Sequence, residues 1–168
     1  FSMFNLLPVL NILGRLMVFF SMAYLIPILG SLVADDGLAV DFVYAMALTA
    51  LPGGVLFIAT RRHYREPRAR DGFVLVVASW ILMAAIATLP LLLVYEEMPF
   101  TDADFETMSG LTTTGATVMS GLDTAPASIN LWRHELNWLG GMGIIVLAIA
   151  ILPLLGVGGM QLYKAEVP

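Results

Sequence analysis

The chain has 168 residues, of which 59% are hydrophobic and only 12% are charged. Soluble domains carry about 25% charged residues, so this composition excludes a soluble globular protein and predicts an integral membrane protein. The chain has no cysteine, which excludes disulfide frameworks and cysteine-ligated metals, and its net charge of −5 matters less than where the charges lie.

Four apolar stretches follow one another along the chain, at 6–33, 40–60, 73–94 and 136–155. A helix needs about 20 residues to cross about 30 Å of hydrocarbon, so each stretch predicts a transmembrane helix. The connections between them are short for the most part, which predicts antiparallel neighbours. We divide the chain into an N-terminal helix pair with a basic loop, 1–70, and a second unit, 71–168.

Several residues interrupt these stretches. Arg15 and Pro27 lie within the first, where Arg15 is close enough to one end to extend its charge toward the membrane surface or to pair with a carboxylate. Residues 52–54, Pro-Gly-Gly, predict a kink or a point of close packing in the second. The fourth stretch carries a run of glycines that predicts close approach to a neighbouring helix: Gly140, Gly141 and Gly143.

The loops predict the orientation. Residues 61–70, RRHYREPRAR, contain five of the eight basic residues, and positive loops stay cytoplasmic. The acidic residues collect in the other loops: Asp35, Asp36, Asp41, Glu96, Glu97, Asp102, Asp104, Glu106 and Asp123. Both ends of the segment are therefore expected in the cytoplasm. Nucleic acid is not an expected partner of an arginine run beside membrane spans; membrane lipid is.

Residues 96–135 are a 40-residue connection, far longer than a turn requires. Thr101 is the expected N-cap of a short helix, with acidic Asp102 near its positive dipole end. Three residues then form an apolar stripe at helical spacing: Phe105, Met108 and Leu111. The pattern predicts about ten helical residues, about 15 Å long, which is too short to cross a bilayer and fits a re-entrant helix.

The sequence MSGLTTTGATV, residues 108–118, follows this helix. We expect residues 112–117 to return in extended form, which is tolerated at membrane depth only where the backbone lines a cavity. Gly115 allows backbone angles that let successive carbonyl groups face one axis, and such carbonyls can replace the water around a monovalent cation. The stretch contains no carboxylate, which argues against a divalent site. A polar external loop fits the composition equally well.

ETMSGLTTTGATV, followed by LWRHELNWLGGMGIIVLAIAILPLLGVGGMQLYKAE, closely resembles the membrane subunit of bacterial potassium-uptake systems of the TrkH/KtrB type, in the Trk/Ktr/HKT superfamily. The resemblance implies an all-α integral membrane fold: two N-terminal transmembrane helices, then one helix–re-entrant pore helix–filter loop–helix repeat. Residues 1–60 would be the extra helix pair and 73–160 the first of four repeats around a pore. One repeat cannot close that ring, so we expect a piece of a longer protein whose remaining repeats follow.

The resemblance also implies a site and partners. Backbone carbonyls of Thr113, Thr114, Gly115 and Ala116 would bind potassium, the transported ion, with Gly115 as the filter glycine. The protein would be a channel-like potassium-uptake protein of the bacterial inner membrane with no enzymatic activity and no cofactor. Its implied partners are a second copy, as a homodimer, and a cytosolic ring of nucleotide-binding regulatory subunits.

The residues alone leave two other classes of protein function open. One is an intramembrane serine hydrolase, with Ser109 as nucleophile and His134 as base, although no glycine stands two residues before Ser109 and no acid is evidently placed to orient His134. The other is a non-conducting membrane scaffold, which predicts no further threonine-glycine pore segments downstream.

Overall fold

A computed structural model describes residues 6–63 and 68–151, and these residues are entirely helical or irregular. The α-helices in this part of the chain are α1 (Leu7–Ser21), α2 (Leu25–Ala34), α3 (Ala39–Thr60), α4 (Ala69–Ala87), α5 (Leu89–Val94), α6 (Phe100–Leu111) and α7 (Ala127–Ile151). Short 3-10 turns lie at Met22–Tyr24, Arg61–His63 and Leu122–Thr124.

Three helical stretches within the described residues are long and apolar enough to cross a membrane: Leu7–Ala34, Ala39–Thr60 and Arg70–Val94. They correspond to the first three predicted spans. The fourth predicted span begins inside α7, which starts well before it at Ala127, and its last residues, 152–155, lie outside the described residues.

The N-terminal helices α1 and α3 pack at a glycine crossing. A Cβ atom added to Gly14 would lie 2.8 Å from the backbone nitrogen of Phe57, and one added to Gly53 would lie 2.6 Å from the Cβ of Met17. The predicted close-packing point at 52–54 is therefore confirmed at Gly53, while α3 continues as a helix through Pro52. The first span changes to a 3-10 turn at Met22–Tyr24 rather than at Pro27.

The third span is broken between α4 and α5, and side chains from other elements bind the carbonyls near the break. Pro90 has no N–H to donate to the carbonyl of Ile86, which accepts the hydroxyl of Tyr24 at 3.0 Å. The N–H of Thr88 bonds to Ala85 at 3.3 Å instead of Ala84. Three elements thus meet at one helix break, because Ala84 accepts the hydroxyl of Thr107 at 2.8 Å and Ala87 accepts the indole N–H of Trp132 at 3.1 Å.

The core sits directly beside this break. The rings of Tyr24 and Trp132 are both fully buried and stack with centroids 4.6 Å apart. The stack joins the N-terminal helices to α7, and α7 in turn approaches α6 so closely that a Cβ on Gly140 would lie 1.8 Å from the carbonyl oxygen of Leu111. The glycine run was expected to permit this approach.

Replacing Tyr24 by Phe removes the donor to Ile86 and keeps the ring stack. We expect the free energy of unfolding of the full-length protein to fall by about 1–2 kcal/mol, because a buried carbonyl loses its partner. Tyr44, which is 61% exposed, provides the matched control: Tyr44→Phe should leave the thermal unfolding midpoint unchanged. Equal midpoints for the two variants would show that the bond to Ile86 stabilises nothing.

Candidate functional site

The short helix α6 has 12 residues and begins after Pro99, whose extended backbone occupies the N-cap position. The prediction that Thr101 caps this helix is wrong, because Thr101 already lies inside it. Pro99 sets the start instead, since its fixed φ and missing N–H suit the position before a first helical turn. Asp102 lies in the first turn as expected.

The buried face of α6 is mostly polar. It comprises Ala103, Glu106, Thr107, Ser109 and Leu111. Of the predicted apolar stripe only Leu111 is buried, whereas Phe105 is 45% exposed. The polar face is buried because hydrogen bonds satisfy its side chains. The bonds of Glu106 and Ser109 hold the segment that follows, whereas Thr107 bonds to Ala84.

The helix ends in a left-handed turn made by a threonine. Thr113 has φ +57°, a conformation that is strained for a β-branched residue. Its N–H bonds to the carbonyl of Gly110 at 3.0 Å, and the N–H of Thr114 bonds to that of Ser109 at 2.9 Å. This pair of bonds is the Schellman arrangement, which usually has glycine at the left-handed position. The carbonyls at the end of α6 are thereby partly satisfied.

Residues 112–119, which we call the return segment, run back along α6. The hydroxyl of Ser109 donates to the carbonyl of Ala116 at 2.7 Å. One turn earlier in the helix, Glu106 Oε1 accepts three hydrogen bonds: from the Thr117 hydroxyl at 2.5 Å, the Val118 N–H at 2.6 Å and the Met119 N–H at 3.1 Å. These contacts fix the segment in a path that runs antiparallel to the helix.

The second oxygen of Glu106 binds α7. Arg133 donates to Oε2 from Nη2 at 3.1 Å and from Nε at 3.3 Å. Glu106 is only 5% exposed, so its charge is desolvated and the guanidinium is its counter-charge. One buried carboxylate thus joins α6, the return segment and α7.

The predicted ion-binding residues lie at the bend of the return segment. Gly115 has φ +78°, and a Cβ at this position would point into open space, so glycine is required by the backbone angle and not by crowding. Among the described residues, no hydrogen bond ends on the carbonyl oxygens of Thr113, Thr114 or Gly115. The carbonyl of Ala116, the fourth predicted residue, accepts the Ser109 hydroxyl.

The hydrolase hypothesis finds no support in this geometry. Ser109 and His134 line the same cleft of about 190 Å³, but the Ser109 hydroxyl donates to Ala116 and His134 Nδ1 is 2.6 Å from the carbonyl oxygen of Asn130. Neither side chain is directed at the other, so the histidine is not placed to take the hydroxyl proton.

Glu135 is a buried acid that sequence reasoning missed. It is 6% exposed, and neither carboxylate oxygen has a hydrogen-bond partner in the described part of the chain. In the sequence it is the last residue of the 40-residue connection, beside Arg133 and His134. Helical spacing could have identified it, because Glu135 lies three residues after the buried Trp132 and therefore on the same face.

Glu106 and Glu135 allow a matched comparison, since both are buried and only Glu106 is satisfied. We expect Glu106→Gln to lower the free energy of unfolding by about 2–3 kcal/mol, because a charged hydrogen-bond network loses its acceptor for Arg133. Glu135→Gln should cost nothing or stabilise, because it removes an unpartnered acid. Thermal unfolding of the two full-length variants measures the difference, and equal losses would contradict the assignment of partners.

Comparison with known proteins identifies the family of this chain. Residues 39–168 match the family model described as TrkH, cation transport protein. The Trk system potassium uptake protein TrkH of Halomonas elongata is 47% identical over 165 residues, which cover 98% of this chain and 34% of that protein. The TrkH protein of Escherichia coli K12 is 45% identical over 161 residues, covering 94% of this chain and 33% of its own length.

A solved structure is similar as well. The crystal structure of the potassium transporter TrkH from Vibrio parahaemolyticus superposes with a TM-score of 0.86 at 44% sequence identity, covering 92% of this chain and 33% of that chain. The chain spans about a third of the length of these relatives, which are named as transport proteins and not as enzymes. On these grounds, the chain belongs to the TrkH family of cation transport proteins.

Proposed function

We propose that this chain is part of a potassium-uptake protein and that its return segment supplies one of four filter strands to a channel-like pore. The family supports the transported ion, since its relatives are named as potassium uptake proteins. The composition of the site supports ion binding by backbone carbonyls, because the segment offers backbone oxygens and no charged side chain between Thr112 and Val118.

The observation that carries the proposal is the set of unpaired carbonyls at Thr113, Thr114 and Gly115. The three residues are exposed in the described part of the chain, and no hydrogen bond there ends on their carbonyl oxygens. At membrane depth such carbonyls need a partner from elsewhere. A potassium ion stripped of water supplies one, as in filters built from carbonyl rings. Ala116 would contribute less than the other three, since its oxygen is already shared with Ser109.

The membrane placement follows from lengths and charges. At 1.5 Å per residue, the 12 residues of α6 measure about 18 Å, roughly half of a 30 Å hydrocarbon layer. We infer that α6 is a re-entrant pore helix which enters from the outer face, while the basic loop 61–70 and both ends of the segment lie in the cytoplasm. The acidic residues on the outer side would raise the local concentration of cations.

The wider assembly is proposed from the family. Residues 1–70 would form the helix pair and 71–168 the first pore repeat, with the remaining repeats supplied by the rest of the polypeptide. We infer a homodimer in the lipid of the bacterial inner membrane, with a cytosolic ring of nucleotide-binding regulatory subunits. The basic loop 61–70 is on the side that such a ring would face.

Gly115→Ser in the full-length protein tests the filter. The substitution forces a side chain onto a backbone with φ +78°, a strain of about 1–3 kcal/mol, and we expect it to reduce potassium-over-sodium discrimination about tenfold, the factor for about 1.4 kcal/mol. The measurement is rubidium and sodium uptake by cells that lack their own potassium-uptake systems.

Gly72→Ser is the control, because Gly72 has equally open surroundings but lies in the first turn of α4, where its φ is outside the left-handed region. The control should retain wild-type discrimination. If Gly115→Ser also retains it, the return segment is not the filter.

A further inference from the structure

Asp36, in the loop between α2 and α3, makes a long-range contact with the first turn of α7. Its Oδ2 accepts the N–H of Ser128 at 2.9 Å, across 92 residues of sequence. Its Oδ1 accepts the Leu38 N–H at 3.2 Å and the Ser31 hydroxyl. The first N–H groups of a helix have no partner within it, and a carboxylate there also interacts favourably with the helix dipole. The N-terminal helix pair therefore supplies a cap to α7.

The capped helix carries the residue that holds the site. Arg133 follows Ser128 by five positions, a rise of about 7.5 Å along a helix, and binds Glu106, which in turn holds the N–H groups of Val118 and Met119. Between these two points, Asn130 Nδ2 donates to the carbonyl of Leu122 at 2.9 Å, in the loop that leads from the return segment into α7. The start of α7 is thus rigidly connected to the return segment.

We propose that Asp36 is a positioning residue for the return segment: by fixing the first turn of α7, it sets the position of Arg133 and Glu106 and through them the path of residues 117–119. The helix pair that precedes the pore repeat would then be a brace for the site and not only a membrane anchor. The claim that Asp36 positions residues 117–119 depends only on the contacts described above. The expected effect on ion selectivity rests on the proposed function.

The carboxylate of Asp36 is charged throughout the physiological pH range. Burial alone would raise the pKa of Asp36, but the hydrogen bonds from Ser128, Ser31 and Leu38 outweigh it and lower the pKa to about 2. A group whose pKa is depressed on folding stabilises the fold above its unfolded pKa, about 3.9, and loses that contribution only as the pH falls through about 2. The positioning effect should therefore not vary between pH 5 and 8, roughly the range of maximal stability.

The test compares Asp36→Asn with Asp35→Asn in the full-length protein. Both remove one charge from the same loop, but no hydrogen bond to the Asp35 side chain occurs in the described part of the chain, and its residue is exposed. Asn also suits the left-handed backbone of Asp35, φ +53°. We expect Asp36→Asn to accelerate hydrogen–deuterium exchange about tenfold in peptides covering Ser128 and measurably in those covering 117–119, with no change for Asp35→Asn.

Faster exchange at Ser128 alone, or at neither place, would overturn the proposal, because Asp36 would then be a local cap. Ser31→Ala, which removes one support of the Asp36 carboxylate, should give a smaller change in the same direction and serves if Asp36→Asn does not fold. Potassium-over-sodium discrimination should fall with Asp36→Asn and not with Asp35→Asn.

The positioning role of Asp36 and the proposed filter are refuted by different results. Altered exchange at 117–119 with unaltered discrimination would refute the functional part of the positioning role. A Gly115→Ser protein with normal discrimination would refute the proposed filter and leave the exchange result, and thus the structural brace, in place.

Discussion

A backbone carbonyl that is shielded from water needs a partner, and this requirement organises the chain. At the break between α4 and α5, Pro90 cannot donate to the carbonyl of Ile86. Side chains from three other elements donate to the carbonyls near the break: Tyr24, Thr107 and Trp132. The helix pair, the short helix and α7 are therefore attached to one defect in a helix. These buried donors give the carbonyls of Ala84, Ile86 and Ala87 a partner at the break, and losing one donor would remove that bond.

The return segment differs from this break, because its residues 112–118 are exposed in the described part of the chain. Most of its N–H groups are bonded: the left-handed turn at Thr113 returns those of Thr113 and Thr114 to the end of α6, and Glu106 binds those of Val118 and Met119. Its carbonyls from Thr113 to Gly115 are not satisfied by any described residue. In the proposed filter, the bonded N–H groups and the free carbonyls would together favour a cation at the exposed side of the segment. The backbone strain at Thr113 is part of the same arrangement, since it turns the chain away from α6 without a glycine.

The sequence predicts much of this and misses the parts that depend on tertiary contacts. Apolar length locates three spans, and the half-length helix before the threonines is visible from spacing alone. The predicted cap at Thr101 is wrong because Pro99, two residues earlier, occupies the N-cap position instead. The polar burial of α6 could not be read from its apolar stripe, since Glu106 is buried only because Arg133 and residues 117–119 satisfy it. Likewise the aspartates of the loop between α2 and α3 look equivalent until the fold brings Asp36 to Ser128.

The central claim is that the free carbonyls around Gly115 coordinate the transported ion, and a structure of the full-length protein in rubidium tests it most directly. Rubidium substitutes for potassium and is located by its anomalous scattering. The account predicts ion density on the pore axis within coordination distance of the carbonyl oxygens of Thr113, Thr114 and Gly115. Density confined to the acidic loops, or carbonyls of these residues turned away from every ion, would contradict it.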